Sequence, residues 1–150
     1  MKTILNIGCG DNYLKPNCDD IKTINVDQNK EVKCDEVVDL EGKLPYEDSS
    51  VSYVVAKHIL EHIKNRIGLM NELWRVLESS GKMYIEVPLA GTNSYYKDPT
   101  HVSPWVPDTF KYFAEWNMCP AYKIKTWKVE SCEVEQRGSD QIIICNMIKP

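Results

Sequence analysis

The stretch Thr3–Gly10, "TILNIGCG", is a short β-rich run that ends in two glycines one residue apart. Gly8 and Gly10 can adopt backbone conformations that other residues avoid, and they allow a ligand to approach the main chain at the carboxyl end of a strand. Tyr13 stands at the third glycine position of the dinucleotide fingerprint G-x-G-x-x-G, so the loop is a poor match for a pyrophosphate site. Taken alone, the pattern is as typical of an ordinary turn after a strand as of a binding loop.

The rest of the chain alternates short β-rich runs with turns and one long helical pattern. Apolar residues recur at helical spacing between Ile67 and Leu77, and Ser79–Gly81 are predicted to end this helix before the next strand. A strand, a helix and a strand in succession indicate a parallel α/β unit. The six runs after the first are "TINVD" (Thr23–Asp27), "EVVDL" (Glu36–Leu40), "VSYVVA" (Val51–Ala56), "KMYIEVP" (Lys82–Pro88), a polar-alternating run within Lys123–Gln136, and "QIIICNMI" (Gln141–Ile148).

The connection between the last two runs sets the end of the sheet. "RGSD" (Arg137–Asp140) is a hairpin-type connection, which makes the last strand antiparallel. With 150 residues, 43% of them hydrophobic, the chain has the size and apolar content of one domain covering residues 1–150. The sequence therefore predicts a single α/β domain with a mostly parallel, seven-stranded sheet and an antiparallel last strand.

The connections after the first two strands are short and contain few helix-forming residues. Pro16, Asn17 and Asp19 lie in the first of them, whereas crossovers between parallel strands usually contain a helix. Helices after strands 1 and 2 are thus expected to be short or missing, which leaves one face of the sheet without its usual cover. Two covers are predicted as alternatives: the aromatic-rich segment Tyr95–Trp116, or a second subunit in a homodimer.

Composition and charge limit the cellular compartments and the binding partners that the sequence predicts. The net charge of −4 and the pI near 5.4 give no basic face of the kind that binds a nucleic-acid backbone. The first ten residues are too poor in apolar residues for a secretory signal, and no long apolar run follows. We therefore expect a cytoplasmic protein with no nucleic-acid or membrane partner. Its six cysteines are expected to be free thiols, because no spacing is C-x-x-C.

The segment Lys57–His62, "KHILEH", spells H-x-x-E-H, the zinc signature of the inverzincin peptidases. On a helix, His58 and His62 would share one face and present two imidazoles to a metal. A zinc hydrolase would also need a third protein ligand and a nucleophilic water. Because the motif follows a predicted strand, it also fits the ligand crevice at the carboxyl edge of a doubly wound sheet, with no metal.

Two acids end the neighbouring strands. Asp27 ends strand 2, close to the place where such folds position an acid that binds a ribose diol, and Asp39 ends strand 3. Each could equally be a solvated acid at the end of a strand. The glycine loop and both acids are nevertheless predicted at one edge of the sheet.

These segments together resemble a known family. "LNIGCG", "NVD", "DLEGKLPYEDSSVSYVVAKHILEH" and "LWRVLESSGKMYIEVP" occur in the order and roughly the spacing of the class I S-adenosylmethionine-dependent methyltransferases, over about Thr3–Val87. A fainter similarity continues in "DPTHVSPWVPDTFKYF" (Asp98–Phe113). The resemblance implies a Rossmann-like fold, S-adenosylmethionine as the cofactor, and methyl transfer to oxygen or nitrogen of a small molecule such as a sugar or another metabolite.

The resemblance also implies roles for individual residues. By this resemblance the glycine loop contacts the methionine part of the cofactor, and Asp27 binds the ribose hydroxyls. The end of strand 3 contacts the adenine, and the end of strand 4 lies next to the sulfonium. The implied cofactor-binding residues are Asn6, Gly8, Gly10, Asp27, Asp39, Leu40, Lys57 and His62. No metal ligand is predicted.

A base is needed if the acceptor is a hydroxyl or an ammonium group. His101 and His58 are the predicted catalytic residues, because imidazole accepts a proton near neutral pH; Asp98 and Glu86 are weaker candidates. The region Asn93–Trp116 is rich in proline and aromatic residues, so it could shape an acceptor pocket or simply bury its rings against the sheet.

Two departures from the family pattern support a second interpretation. Many members have an acid where this chain has Asn6, and most have a full helix where it has Asp11–Asp20. A non-catalytic, truncated member that serves as a binding or interaction module therefore remains an alternative, with the zinc hydrolase as a remote one.

Overall fold

Seven strands form one mixed sheet in the order β3-β2-β1-β4-β5-β7-β6. A computed structural model describes residues 1–114 and 120–150 of the chain; Trp116, predicted as part of the cover, and Cys119, predicted as a free thiol, lie outside the described residues. The strands are β1 (Lys2–Ile7), β2 (Ile21–Asp27), β3 (Glu36–Val37), β4 (Val51–Lys57), β5 (Leu77–Pro88), β6 (Lys128–Arg137) and β7 (Asp140–Ile148). The helices are α1 (Arg66–Val76), α2 (Asn93–Tyr96), α3 (Pro107–Tyr112) and a 3₁₀ turn at Leu60–His62.

The strand directions confirm the predicted fold class. Strands β1 to β5 pair in parallel, and β7 runs antiparallel to both of its neighbours, β5 and β6. The hairpin between β6 and β7 turns through Gly138, whose φ is +61°. The carboxyl ends of β1, β2 and β4 consequently meet at one edge of the sheet, as parallel strands require.

Helix α1 is the predicted long helix, although it ends earlier than its sequence suggested. The side chain of Asn65 caps its start by accepting a 3.0 Å hydrogen bond from Gly68 N. The residues Ser79–Gly81, predicted to end the helix, lie inside β5, which begins at Leu77. Leu77 has an extended ψ of 138° and pairs with Val51 of β4. The register between β4 and β5 then jumps from Leu77 to Lys82, and Ser80 has a φ of +64°, so the serines and the glycine form an irregular bend inside β5.

One face of the sheet is bare, as predicted. Helices are missing from residues 8–20 and 28–35. On the face that lacks them, Ile4, Tyr53, Tyr84 and Ile144 are only partly buried, whereas residues that alternate with them, such as Leu5, are fully buried.

The described part of the aromatic segment does not cover this bare face, so that prediction is wrong. Trp105 stacks on Phe110 at 4.8 Å and on Phe113 at 5.9 Å, and all three join the hydrophobic core. The guanidinium of Arg66, at the start of α1, lies 5.3 Å from the centre of the Trp105 ring. The rings pack beside α1, on the opposite face, where they join the same core as Leu69 and Leu73 of that helix.

Two further observations bear on the sequence expectations. Among the described cysteines, Cys9, Cys18, Cys34, Cys132 and Cys145 are free thiols. In the described ranges, no helix combines the length and the apolar character needed to cross a bilayer.

Candidate functional site

The glycine loop at the end of β1 needs glycine at two positions for two different reasons. Gly8 has φ +58°, and a Cβ atom there would lie 2.4 Å from Cγ1 of Ile59, which follows β4. Gly10 has φ +44°, yet among the described residues, apart from its chain neighbours, no atom lies within 4 Å of the place where its Cβ would be. Gly8 therefore allows close packing between two strand ends, while Gly10 leaves open space above the main chain.

Asp27 connects this loop to the end of β2. Its Oδ2 accepts a hydrogen bond from Gly10 N at 2.9 Å, and its Oδ1 accepts one from Asn29 N at 2.8 Å. The residue is 9% exposed. An ionised carboxylate has about four lone-pair sites, so these two bonds leave acceptor capacity on both oxygens.

Asn6 lies below the loop and replaces part of the support that a helix would give. It is 1% exposed, and its amide nitrogen donates to Asn12 O at 2.8 Å and to Asn25 Oδ1 at 2.9 Å. Asn25 Oδ1 also accepts from Leu14 N at 2.8 Å. Two buried amides thereby hold the irregular segment that follows β1.

The remaining predicted contacts of the adenosyl group lie around the end of β3. Asp39 is exposed, and its Oδ1 accepts from Glu41 N at 2.9 Å. Leu40 is fully buried in the hydrophobic core, so in this structure Asp39 is the residue of the two that faces solvent. Val38 N donates to Asp27 O at 2.9 Å, which keeps the β2 and β3 ends adjacent.

A second group of polar residues follows β4. His58 has φ +52°, and its ring lies between two carboxylates: Nδ1 is 3.6 Å from Glu61 Oε1, and Nε2 is 3.5 Å from Glu86 Oε2. Its side chain is 43% exposed. The hydrogen-bonding carboxylate of Glu61 raises the pKa of His58 above its ordinary value, against the opposing effect of burial.

Two further histidines meet beside Glu61. The rings of His62 and His101 contact each other edge to face, with centroids 4.8 Å apart. His101 Nε2 lies 3.9 Å from Glu61 Oε1 and 3.5 Å from Asp98 Oδ2. The structure thus brings the predicted residues His58, His62 and His101 into one cluster around Glu61.

Glu61 is the residue of this cluster to which the sequence assigned no role. It is 1% exposed, and its Oε2 has no hydrogen-bond partner among the described residues. A buried carboxylate without a matching donor is costly. The only signal in the sequence was its place inside H-x-x-E-H.

A cavity of about 250 Å³ opens on this cluster. Its walls include His58, Glu61, His62, Asp98 and His101, and Lys97 and Asp140 close one side with a 2.6 Å ion pair. The charged and imidazole side chains on these walls suit a polar small molecule.

Lys57 and Glu86 belong to the network behind His58. Lys57 Nζ lies 3.3 Å from Glu86 Oε1, and Arg137 Nη1 lies 2.7 Å from Glu86 Oε2. Burial alone would raise the pKa of Glu86, but hydrogen bonds from Arg137 and Tyr84 and the charge of Lys57 lower that pKa to about 2. A carboxylate held ionised in this way is a poor proton acceptor near neutral pH, which removes one of the weaker base candidates.

The inverzincin interpretation of H-x-x-E-H requires both histidines on one helix face. His58 has a left-handed φ and precedes a single 3₁₀ turn, Leu60–His62. The helical i, i+4 geometry is therefore missing from residues 58–62, and that interpretation is wrong. The strand end forces the chain to turn sharply at His58, where a helix cannot yet begin.

Comparison with known proteins identifies the family. The family model of the methyltransferase domain matches residues 5–85, which include the glycine loop, the acids that follow β2 and β3, and the histidines that follow β4. The chain belongs to the methyltransferase-domain family. S-adenosylmethionine is the methyl donor of this family, as the sequence resemblance predicts.

Solved structures share the fold of this methyltransferase domain at low sequence identity. A chain from the complex between the Haloferax volcanii Trm112 methyltransferase activator and a methyltransferase has a TM-score of 0.73 and 14% identity, covering 99% of this chain and 83% of that chain. A SAM-dependent methyltransferase from Archaeoglobus fulgidus has a TM-score of 0.66 and 19% identity, and the match covers 99% of this chain and 86% of that chain. The [4+2]-cyclase SpnF has a TM-score of 0.64 and 14% identity, covering 99% and 75%. A search of curated proteins finds no match.

Proposed function

We propose that this methyltransferase domain transfers a methyl group from S-adenosylmethionine to oxygen or nitrogen of a small molecule. The observation that supports this best is the pairing of the open glycine loop with Asp27 inside the segment that matches the family. Fold likeness alone would not suffice, because a chain of the same fold is named a [4+2]-cyclase.

The residues around the loop fit an adenosyl ligand. The open space at Gly10 lets a ligand approach the main chain, and Asp27 keeps acceptor sites for two ribose hydroxyl groups. We assign the adenine to the exposed Asp39. Asn6 acts indirectly in this proposal, by holding the loop from below.

When bound, S-adenosylmethionine supplies a methyl group whose bond to sulfur breaks as a bond to the acceptor oxygen or nitrogen forms, leaving S-adenosylhomocysteine. The chain's own residues position the acceptor and exclude water. We place the acceptor in the 250 Å³ cavity beside the strand-4 end. His58 is assigned as the group that takes the acceptor's proton, because it lines this cavity with a partly exposed ring.

The competing proposal is a non-catalytic member that serves as a binding or interaction module. It is supported by the missing helices after β1 and β2, since a full helix normally supports the loop. The two proposals differ in whether a bound methyl donor is consumed.

Thermal shift and calorimetry with S-adenosylmethionine, S-adenosylhomocysteine and NAD test cofactor binding. We expect both adenosyl ligands to raise the melting temperature and NAD to leave it unchanged, because a ligand that prefers the folded state stabilises it. A donor labelled in its methyl group, incubated with pools of small alcohols and amines, then tests transfer. Binding without transfer to any pool favours the module; no binding of either adenosyl ligand overturns both proposals.

We further propose that a second copy of the chain covers the bare sheet face. The support is the row of partly buried Ile4, Tyr53, Tyr84 and Ile144 on a face without helices. Light scattering over a range of protein concentrations tests this proposal.

A further inference from the structure

We propose that Glu61, His62 and His101 form a binding site for a divalent transition-metal ion of the zinc class. One ligand atom from each residue lies within 4.8 Å of the others. Two imidazoles and one carboxylate are a common protein ligand set for zinc when further positions are left open. This site differs from the one suggested by H-x-x-E-H, because His58 is not a ligand and His101 comes from a distant loop.

The hydrogen bonds of His101 leave the correct ring nitrogen for a metal. His101 Nδ1 lies 2.6 Å from the main-chain oxygen of Tyr95. A carbonyl oxygen can only accept, so Nδ1 carries the hydrogen and Nε2 of the neutral ring carries the lone pair. Metal-bound histidines usually donate their other ring N–H to such a carbonyl or carboxylate.

The same argument holds for His62. Its Nδ1 lies 3.1 Å from Thr100 Oγ1, and that hydroxyl donates its single hydrogen to Asp98 Oδ1 at 2.7 Å. The hydroxyl must therefore accept from His62, which fixes the hydrogen on Nδ1 and the lone pair on Nε2. In their neutral forms both histidines therefore present an Nε2 lone pair, and a metal ion needs a lone pair from each imidazole ligand.

Glu61 supplies the negative charge that a cation would balance. Its carboxylate is buried, and its Oε2 has no partner among the described residues. Within residues 1–114 and 120–150, the cationic groups within 4.0 Å of it are two histidines and no lysine or arginine. The buried Oε2 still needs a partner, and a metal ion between Glu61 and the imidazoles of His62 and His101 would provide one.

The backbone holds the two halves of the site together. Val102 N and Ser103 N donate to the main-chain oxygen of Glu61 at 2.8 and 2.9 Å, and the Ser103 hydroxyl donates to the main-chain oxygen of Ile63. Ligands at about 2.0–2.1 Å from a tetrahedral ion lie about 3.4 Å apart. Side-chain movements of about 1 Å would thus bring the three ligand atoms to bonding distance.

The position of the site also suggests a class of acceptor, a consequence that rests on the proposed methyl transfer. All three residues line the 250 Å³ cavity, so an open metal position would face a molecule bound there. An oxygen ligand, such as a hydroxyl group, suits that position. Binding of the metal itself does not depend on this consequence.

Metal binding by untagged, chelator-treated protein tests the site without any methyl donor. Calorimetry with Zn²⁺ and the visible spectrum of Co²⁺ are measured for the wild type, His62→Gln, His101→Gln and the control His58→Gln. We expect one equivalent bound by the wild type and by His58→Gln, in which the loss of a contact with Glu61 should weaken binding by no more than about 10- to 100-fold. We expect at least a 100-fold loss of affinity in the other two variants, beyond the roughly 10- to 100-fold cost of changing an outer partner.

Two controls keep the result clear. Cys18→Ser/Cys34→Ser removes two thiols outside the site and is expected to bind as the wild type does, whereas loss of binding in this variant overturns the proposal.

Circular dichroism and S-adenosylhomocysteine binding are measured for each variant, so that a failure of the adenosyl site is seen separately from a failure of the metal site. If His101→Gln does not fold, His62→Gln alone decides the test. Absence of binding by the wild type, or equal binding by all the variants, overturns the proposal.

Discussion

The main-chain N–H of Gly10 donates a 2.9 Å hydrogen bond to Oδ2 of Asp27, and so joins the loop after β1 to the end of β2. In a fold with no helix after β1, this bond and the one from Asn29 N fix the loop against its neighbour. The same carboxylate is the group that we assign to the ribose hydroxyls. Asp27 thus has a structural and a proposed binding role in one side chain.

Asp27→Asn is expected to weaken binding of S-adenosylhomocysteine by about 10- to 100-fold, because charge-assisted hydrogen bonds are worth about 1.5–3 kcal/mol each. The asparagine oxygen can still accept one of the two main-chain bonds, so most of the stability should remain. Calorimetry measures the affinity, with the exposed Asp19→Asn as the control. Equal affinities for the two variants would contradict the ribose role.

Replacing either glycine by alanine should separate packing from ligand access. Gly8→Ala places a Cβ against Ile59 at a positive φ, and we expect a loss of about 2–4 kcal/mol in the free energy of unfolding. In Gly10→Ala the new Cβ meets no atom of the described residues, so the free energy of unfolding should fall by only about 1–2 kcal/mol. Binding of the adenosyl ligand should nevertheless become weaker. Urea unfolding measures the stability of both variants, and calorimetry measures their affinity for the adenosyl ligand. If Gly10→Ala binds this ligand as tightly as the wild type does, the ligand does not approach the main chain at Gly10.

Glu86 makes a contribution to stability that depends on pH. Its folded-state pKa is lowered to about 2, below its ordinary value, so its contribution is complete above an ordinary glutamate pKa and is lost as the pH falls toward 2. Glu86→Gln should therefore reduce the free energy of unfolding at pH 7 by about 1.5–3 kcal/mol. The difference from the wild type should shrink between about pH 5 and pH 2.

Urea unfolding of Glu86→Gln across this pH range measures the effect. Glu130→Gln is the matched control, because Glu130 pairs with Lys82 on the surface and such pairs contribute about 0–1 kcal/mol. A pH-independent difference between Glu86→Gln and the wild type would show that Glu86 is not held ionised by its partners.

The bare face should mediate self-association. We expect light scattering to give the mass of two chains, and Tyr53→Lys to shift the mass toward one chain by placing a charge on that face. Tyr122→Lys is the control, since Tyr122 is exposed beside Ile67 of α1 on the opposite face. A wild-type protein that has the mass of one chain at every concentration contradicts the dimer.

Local pattern was sufficient for most of the fold. Period-two runs predicted all seven strands, and the single helical repeat predicted α1. The "RGSD" turn predicted the antiparallel last strand. The pattern failed where partners across the sheet decided the outcome. Leu77 continues the helical repeat, but it is a strand residue because Val51 pairs with it.

The candidate site was predicted unevenly for a related reason. The glycine loop and Asp27 occupy strand ends, so parallel topology alone brings them together. The zinc interpretation of H-x-x-E-H required His58 on a helix, yet its position directly after β4 gives it a left-handed turn. Glu61 received no role, because its burial is not visible in the surrounding sequence.

The sequence by itself determined the order of strands, the glycine loop and the family, because these depend on residues close together in the chain. Only the tertiary structure decided which face the aromatic rings cover and that His101 meets Glu61 and His62. Those contacts join segments far apart in sequence, and they form because the packing of Trp105 and the bonds from Val102 and Ser103 fix the path of the loop. No local preference encodes such a path; the energy of the packed chain selects it.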